Sequence, residues 1–293
     1  MCAFFSPAPA INEPRRALLI DSSPELNRML TDMCDQHDWA IQSAKDNQEA
    51  LELSQSHSFD LIITGERTSG QQDVDLLRRL RLVRPHTRLI ILTDEFTPGD
   101  VLNSIRERAF SYFARPFSAE GLAEIVRLAM TTPFWDDGIE ILSATANWVR
   151  LAVRCDLATA DRLIQFYREA SDLPERETEQ VAMALREILI NAIEHGGNFD
   201  ASQHVEVSYV RTSRMVLCKV KDPGTGFSLE ELKHSALANP PDEPFRHIAE
   251  REATGMRPGG FGILMAKGLV DDLLYNEQGN EALLIKYLDK THR

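Results

Sequence analysis

Residues 187–196 read Glu-Ile-Leu-Ile-Asn-Ala-Ile-Glu-His-Gly, and the reading of this stretch decides the fold of the second half of the chain. Glu187, Asn191 and His195 recur at i, i+4 and i+8, so they line one face of a helix whose other faces carry Ile188, Leu189, Ala192 and Ile193. A carboxylate or amide left without a partner among apolar neighbours costs about 1 to 3 kcal/mol. The polar face is therefore either a core triad bonded to itself or one wall of a ligand or metal site. Taken alone, the stretch leaves both open.

Outward from it, Pro174 stands in the first turn of the helix. Glu175, Glu177 and Glu179 follow, where their charge complements the positive end of the helix dipole, and Gly196-Gly197 closes the helix. Upstream, Ile139–Leu142 and Trp148–Val153 alternate as strands, and Thr159–Ser171 has helical periodicity. Downstream, Val205–Arg211 and Met215–Lys221 alternate around a Thr-Ser turn as two antiparallel strands. Asp222-Pro223-Gly224-Thr225-Gly226-Phe227 comes directly after, a D-x-G-x-G that alone could be a Pro-Gly turn leaving a strand. A helix over 228–237 leads into a long irregular stretch, 239–258, of the kind that forms a lid or stays disordered. Gly259-Gly260-Phe261-Gly262 then opens a helix expected to end near Asp272. Glycines feeding a helix N-terminus make an anion site, since bare N–H groups and the dipole both favour phosphate; the alternative is a flexible hinge.

These motifs in this order resemble the Bergerat-type ATPase domain shared by gyrase, heat-shock chaperones and histidine kinases. The stretch from Ile139 to Leu288 looks most like the anti-sigma-factor serine kinases, whose short strand-helix prologue precedes Glu-x-x-x-Asn-Ala-x-x-His-Gly. The resemblance implies an α+β fold that binds ATP and Mg²⁺. It implies that Asp222 accepts a hydrogen bond from the adenine amino group, that Gly224 and Gly226 let the backbone approach base and sugar, and that Gly259, Gly260 and Gly262 wrap the phosphates. Asn191 would ligate the metal, and Glu187, one turn earlier, would orient or deprotonate the incoming nucleophile. His195 more simply caps or packs at the helix end, and Arg246, Arg251 and Arg257 read as solvated lid surface. Ile285 stands where the family often carries Thr, a departure that touches one adenine-side contact.

The first half follows a different period. Short apolar runs at Ala17–Ile20, Ala40–Ile41, Leu61–Thr64, Leu89–Leu92 and Tyr112–Ala114 alternate with amphipathic stretches such as Glu25–Cys34 and Val74–Val83. Such alternation means βαβ units: a doubly wound α/β domain with a five-stranded parallel sheet. Ligands of such sheets bind at the carboxyl ends of the strands, here Asp21-Ser22, Gly65, Thr93 and Arg115-Pro116. The layout resembles the receiver domain of two-component response regulators. Where the family pairs two acids, this chain has Asp21 and Ser22; where it carries the phosphoacceptor Asp, this chain has Gly65; and Arg115 replaces the lysine before the proline. Thr93 and Tyr112 match positions the family uses to relay its phosphorylated state. The resemblance thus implies a degenerate receiver working by docking or dimerising, with Asp73 and Asp75 too far beyond Gly65 to serve as a shifted acceptor. Thr131-Thr132-Pro133 and the turn Trp135–Gly138 mark the boundary, giving a receiver-like domain over 14–131 and an ATPase-like domain over 138–293.

Composition narrows the function classes. A chain of 293 residues fits about two domains, and no apolar run reaches the ~18 residues needed to span a bilayer. A formal net charge of -13 opposes binding to nucleic acid or anionic membrane. The N-terminus has no basic region before an apolar core, which places the protein in the cytoplasm. Cys2, Cys34, Cys155 and Cys218 lie far apart, as free thiols do. The expected function is an ATP-dependent protein serine/threonine kinase whose partner is of the anti-sigma-factor antagonist or sigma-factor type, with homodimerisation implied by the resemblance alone. The alternative is an ATP-gated partner-binding switch without phosphotransfer. A histidine kinase needs a phosphorylatable His on a dimerisation helix, yet His37, His57 and His86 all precede the boundary.

Overall fold

The computed structural model describes residues 15–20, 23–35, 39–65, 68–132, 138–145, 147–227 and 261–288. The chain divides into two compact units, one holding the residues up to 95 together with 114–131, the other 96–113 together with those from 132 onward.

Strands β1 (Arg16–Ile20), β2 (Ala40–Ala44), β3 (Leu61–Ile63), β4 (Arg88–Thr93) and β5 (Ser111–Ala114) form a five-stranded sheet in the order β2-β1-β3-β4-β5. The pairings β1–β2, β1–β3 and β3–β4 are parallel. Helices α1 (Pro24–Asp35), α2 (Asn47–Ser56), α3 (Gly70–Val83), α4 (Pro98–Arg106) and α5 (Ala119–Thr131) connect and follow them. Leu61, Ile62, Leu89, Ile90, Ile91 and Leu92 are fully buried, the continuous apolar run expected where helices cover both faces of a parallel sheet. The helices start at side chains that satisfy their first N–H groups. Asp46 accepts from Glu49 N, and Ser69/Gln72 and Thr97/Asp100 form capping boxes.

The second sheet runs β10-β11-β9-β8-β7-β6. Its strands are β6 (Ile139–Thr145), β7 (Trp148–Arg154), β8 (His204–Arg211), β9 (Met215–Lys221), β10 (Asp272–Tyr275) and β11 (Glu281–Tyr287), with every pairing antiparallel. Val205, Val207, Val216, Cys218, Val220, Ala282 and Leu284 are buried, and the residues between them are less so, the alternation of a sheet covered on one face. Helices α6 (Leu157–Ala170) and α7 (Glu175–Asn191) pack on the sheet and bring Leu163, Ile164, Phe166, Val181, Leu185, Ile188 and Leu189 to the core. Within this unit α6 also buries Arg162, whose guanidinium donates to the main-chain oxygens of Phe110 (2.7 Å) and Ala109 (3.4 Å). A buried guanidinium requires such acceptors.

Two boundaries differ from expectation. The helix after the glycine box, α8 (Gly262–Leu269), stops short of Asp272, which instead opens β10. Pairing with β11 takes that backbone: Asp271 N donates to Ile285 O, and Asp272 registers with Ile285 and Leu274 with Leu283. Pro174 sits just before α7 as its N-cap rather than within its first turn. Cys155 and Cys218 are free and buried, and burial pushes both thiols up, to about 11 and about 12. The side chains of Cys2 and Cys34 lie outside the described residues, as do the expected helix at 228–237 and the stretch 239–258. Among the described residues no helix is long and apolar enough to cross a membrane.

Candidate functional site

Helix α7 does not end as an α-helix. From Ala192 to Gly196 it widens into one π turn, with Gly197 N donating to Ala192 O at 2.9 Å, five residues back. Glu187 and Asn191, one α turn apart, share a face and are half-buried. His195 belongs to the wider turn, where four residues fall short of a full revolution, and it is exposed. The expected three-residue face is therefore a pair, and His195 is corrected out of it. Among the described residues neither the Glu187 nor the Asn191 side chain has a hydrogen-bond partner, so the pair is not a core triad bonded to itself.

The π turn delivers Gly196 against the D-x-G-x-G loop. A Cβ added at Gly196 would lie 2.3 Å from the Asp222 carboxyl carbon, and one added at Gly224 would lie 2.8 Å from Gly196 Cα. The two glycines thus let the main chain close around the Asp222 side chain. Asp222 Oδ1 accepts from Gly224 N at 2.8 Å, and burial holds the carboxyl above its usual range against that bond. Gly226 adopts φ +82, and a Cβ there would sit 1.9 Å from the Gln278 carbonyl oxygen, so the position requires glycine.

Helix α8 packs against α7 and places Gly262 over the Glu187–Asn191 pair. A Cβ at Gly262 would be 2.7 Å from Glu187 Oε2 and 3.6 Å from Asn191 Nδ2. Five sequence-predicted residues therefore come together through two glycine contacts: Asp222 and Gly224 at Gly196, Glu187 and Asn191 at Gly262. Gly226 stands on the same loop, facing the β10–β11 turn. Gly259, Gly260 and the arginines 246, 251 and 257 lie outside the described residues. No group of three or more His, Cys, Asp or Glu suited to a metal occurs among the described residues. The residues fit a nucleotide with its metal: bare backbone, the half-buried Asp222 carboxylate, and an acid and an amide that have no hydrogen-bond partner among the described residues. Sequence reasoning missed Asn280, which bonds to the loop from the β10–β11 turn, and Asn276, which bonds to Asn280; Asn-x-x-Gly-Asn reads only as turn chemistry.

The strand ends of the first sheet are arranged otherwise. Gly65 is buried at the end of β3. Asp73 is fully buried on α3 and accepts from Asn47 Nδ2 (2.8 Å) and Thr68 Oγ1 (2.7 Å). Burial pushes its carboxyl up to about 6, opposed by hydrogen bonds from Asn47, Thr68 and Thr64. Thr93 Oγ1 donates to the Thr68 carbonyl at 2.7 Å and accepts from Glu95 N at 3.2 Å. Arg115 pairs with Asp94 at 3.2 Å, both half-exposed, and Asp75 pairs with Arg78. Asp21 and Ser22 lie outside the described residues.

Comparisons with known proteins follow this division. Residues 150–286 match the histidine kinase-like ATPase domain and residues 17–127 the response regulator receiver domain. The serine-protein kinase RsbW of Oceanobacillus iheyensis is 27% identical over 111 residues, 38% of this chain and 65% of that protein. The response regulator protein PilR of Pseudomonas aeruginosa is 24% identical over 116 residues, 40% of this chain and 26% of that protein. The chain spans less than two thirds of either relative. A response regulator from Thermotoga maritima superposes with a TM-score of 0.35 at 21% identity, covering 41% of this chain and 100% of that one. The chain joins a receiver domain to a histidine kinase-like ATPase domain related to the RsbW serine kinases.

Proposed function

We propose that this receiver–ATPase chain is an ATP-dependent protein serine/threonine kinase in a bacterial signalling system, acting on a partner of the anti-sigma-factor antagonist type. The domains are 14–131 and 138–293, and the receiver serves as a docking or regulatory module, because Gly65 offers no side chain to phosphorylate. One observation carries the reading: Glu187 and Asn191 of α7, half-buried and partnerless among the described residues, face Gly262 of α8, and the π turn that ends α7 brings Gly196 close against the Asp222 carboxylate.

In this reading Asp222, half-buried, accepts from the adenine amino group. Gly224 and Gly226 admit the base and sugar, and Gly259, Gly260 and Gly262 line the phosphates. Asn191 ligates Mg²⁺, which when bound neutralises charge on the phosphates. Glu187 accepts the proton of the partner's hydroxyl as that oxygen bonds to the γ-phosphorus and the bond to the β-phosphate oxygen breaks, leaving ADP and a phosphoserine or phosphothreonine.

The test is labelled ATP incubated with the full chain and a candidate partner. Acid-stable label on the partner, absent with Glu187→Ala, is the expected result. ATP-dependent capture of the partner without label would select the ATP-gated switch instead. Binding is read separately by thermal unfolding: MgATP at about 100 times its dissociation constant stabilises by roughly 2.7 kcal/mol, and Asp222→Asn should lose that rise. Acetyl phosphate should leave the receiver unmodified, and sedimentation would check the expected homodimer.

A further inference from the structure

The loop that carries Asp222 is held by a second loop that no catalytic motif includes. The turn between β10 and β11 makes three hydrogen bonds to it: Asp222 N donates to Asn280 O (3.0 Å), Asn280 Nδ2 to Gly224 O (3.3 Å), and Gln278 Nε2 to Thr225 O (3.2 Å). The approach is as close as backbone allows. Gly226 (φ +82) and Gly279 (φ +79) each face an opposing carbonyl oxygen that an added Cβ would meet at 1.9 Å, that of Gln278 and that of Phe227. Phe227 and Tyr275 close the same junction edge to face, with ring centroids 5.3 Å apart.

The amide orientations within the turn follow from the main chain. Asn276 Oδ1 accepts from three backbone donors, Gly279 N (2.8 Å), Asn280 N (3.1 Å) and Glu281 N (3.1 Å). Its Nδ2 therefore points to Asn280 Oδ1, at 2.9 Å. With its oxygen engaged, Asn280 turns its own Nδ2 towards the Gly224 carbonyl. Asn280 is 8% exposed, so its amide has little water to fall back on.

We infer that Asn280, oriented by Asn276, is a positioning residue for base recognition: it fixes the 222–226 loop and so fixes where Asp222 presents its carboxylate to a purine amino group. The inference rests on the ATP reading of the site. Its effect lies on the base and not on the phosphates, because among the described residues the turn bonds to the D-x-G-x-G loop and to neither Glu187 nor Asn191.

The test measures dissociation constants of MgATP and MgGTP with the full-length protein and its variants. Asn280→Ala, and Asn280→Asp, which keeps the size and loses the donor, should each weaken ATP about five- to tenfold while leaving GTP nearly unchanged, so the ATP:GTP preference falls by that factor. A purely structural role would lower the melting temperature without moving the ratio. If Asp222→Asn abolishes the preference while both Asn280 variants keep the wild-type ratio, the inference is overturned. Should Asn280→Ala not fold, Asn276→Ser, which releases the Asn280 amide, reads the same ratio with the same two outcomes. Wild-type protein that does not bind ATP, or does not prefer it to GTP, fails the Asp222 reading itself and takes this inference with it.

Discussion

At the strand ends of the receiver sheet, Asp73 is fully buried and accepts from Asn47 and Thr68; beside the π turn of α7, Glu187 and Asn191 are half-buried with no partner among the described residues. The receiver edge has an acid, a threonine and an arginine, the kinds of residue phosphate chemistry uses, but each is tied to its own chain. Thr93 holds the Thr68 carbonyl, and Arg115 holds Asp94. The ATPase side leaves Glu187 and Asn191 unmatched among the described residues and sets the backbone of Gly262 against them. Residue type alone does not separate the two regions. What separates them is whether the fold has already satisfied the groups, since an unsatisfied half-buried acid keeps its interaction free energy for something else.

The comparison can be broken most directly at Glu187. Glu187→Ala should lower phosphotransfer about 10² to 10⁴-fold, as loss of a general base does, while the ATP-induced rise in melting temperature persists. Transfer at the wild-type rate would mean that the partnerless acid is idle. Next in size is Gly196→Ala. The added methyl meets the Asp222 carboxyl at 2.3 Å, and overpacking of this kind costs about 1 to 3 kcal/mol. Thermal unfolding should show the loss, and the stabilisation by ATP should shrink because Asp222 is pushed aside.

Asp73 tests the other side through pH. The folded receiver holds this proton up to about 6, above the unfolded value near 4, so its stabilisation is complete below about pH 4 and is lost as pH rises through about 6. Asp73→Asn should flatten that slope in urea unfolding between about pH 4 and 7, by on the order of 2 kcal/mol. An unchanged slope would show that Asp73 is not held as its burial implies. The smallest effect belongs to Arg115→Ala: its pair with Asp94 is half-exposed, and exposed pairs contribute less than about 1 kcal/mol, so unfolding should barely change.

The sequence exposes most of this at the level of pattern. The βαβ alternation announces the parallel sheet, and the period of 187–196 places Glu187 and Asn191 together. Three things escape it. The π turn is invisible because Ala192–Gly196 has ordinary helical residues, and the close approach of Gly196 to Asp222 and of Gly197 to Cys155 joins segments distant in sequence. Strand β10 escapes because the apolar residues on either side of Asp271-Asp272 follow with no proline or glycine between Leu269 and Asp272 to part helix from strand, and the division comes where β11 takes the backbone. The Asn280 bond to the Gly224 carbonyl joins residues 56 positions apart, beyond any local pattern. For Asp73 the sequence offers only distance from Gly65; its burial comes from Asn47 and Thr68 closing around it.

The π turn carries one consequence for chain length. A five-residue turn holds one residue more than an α turn would, and that surplus sets the phase of everything after it. Each residue of an α-helix advances the chain by about 100° and 1.5 Å, so deleting Glu194 would make a more regular helix yet swing Gly196 away from the Asp222 carboxylate. The spacing from Asn191 to Gly196 is in this sense a spatial reading frame: composition could drift within it, but a change of one in its count would shift the downstream glycines out of register with the loop they face.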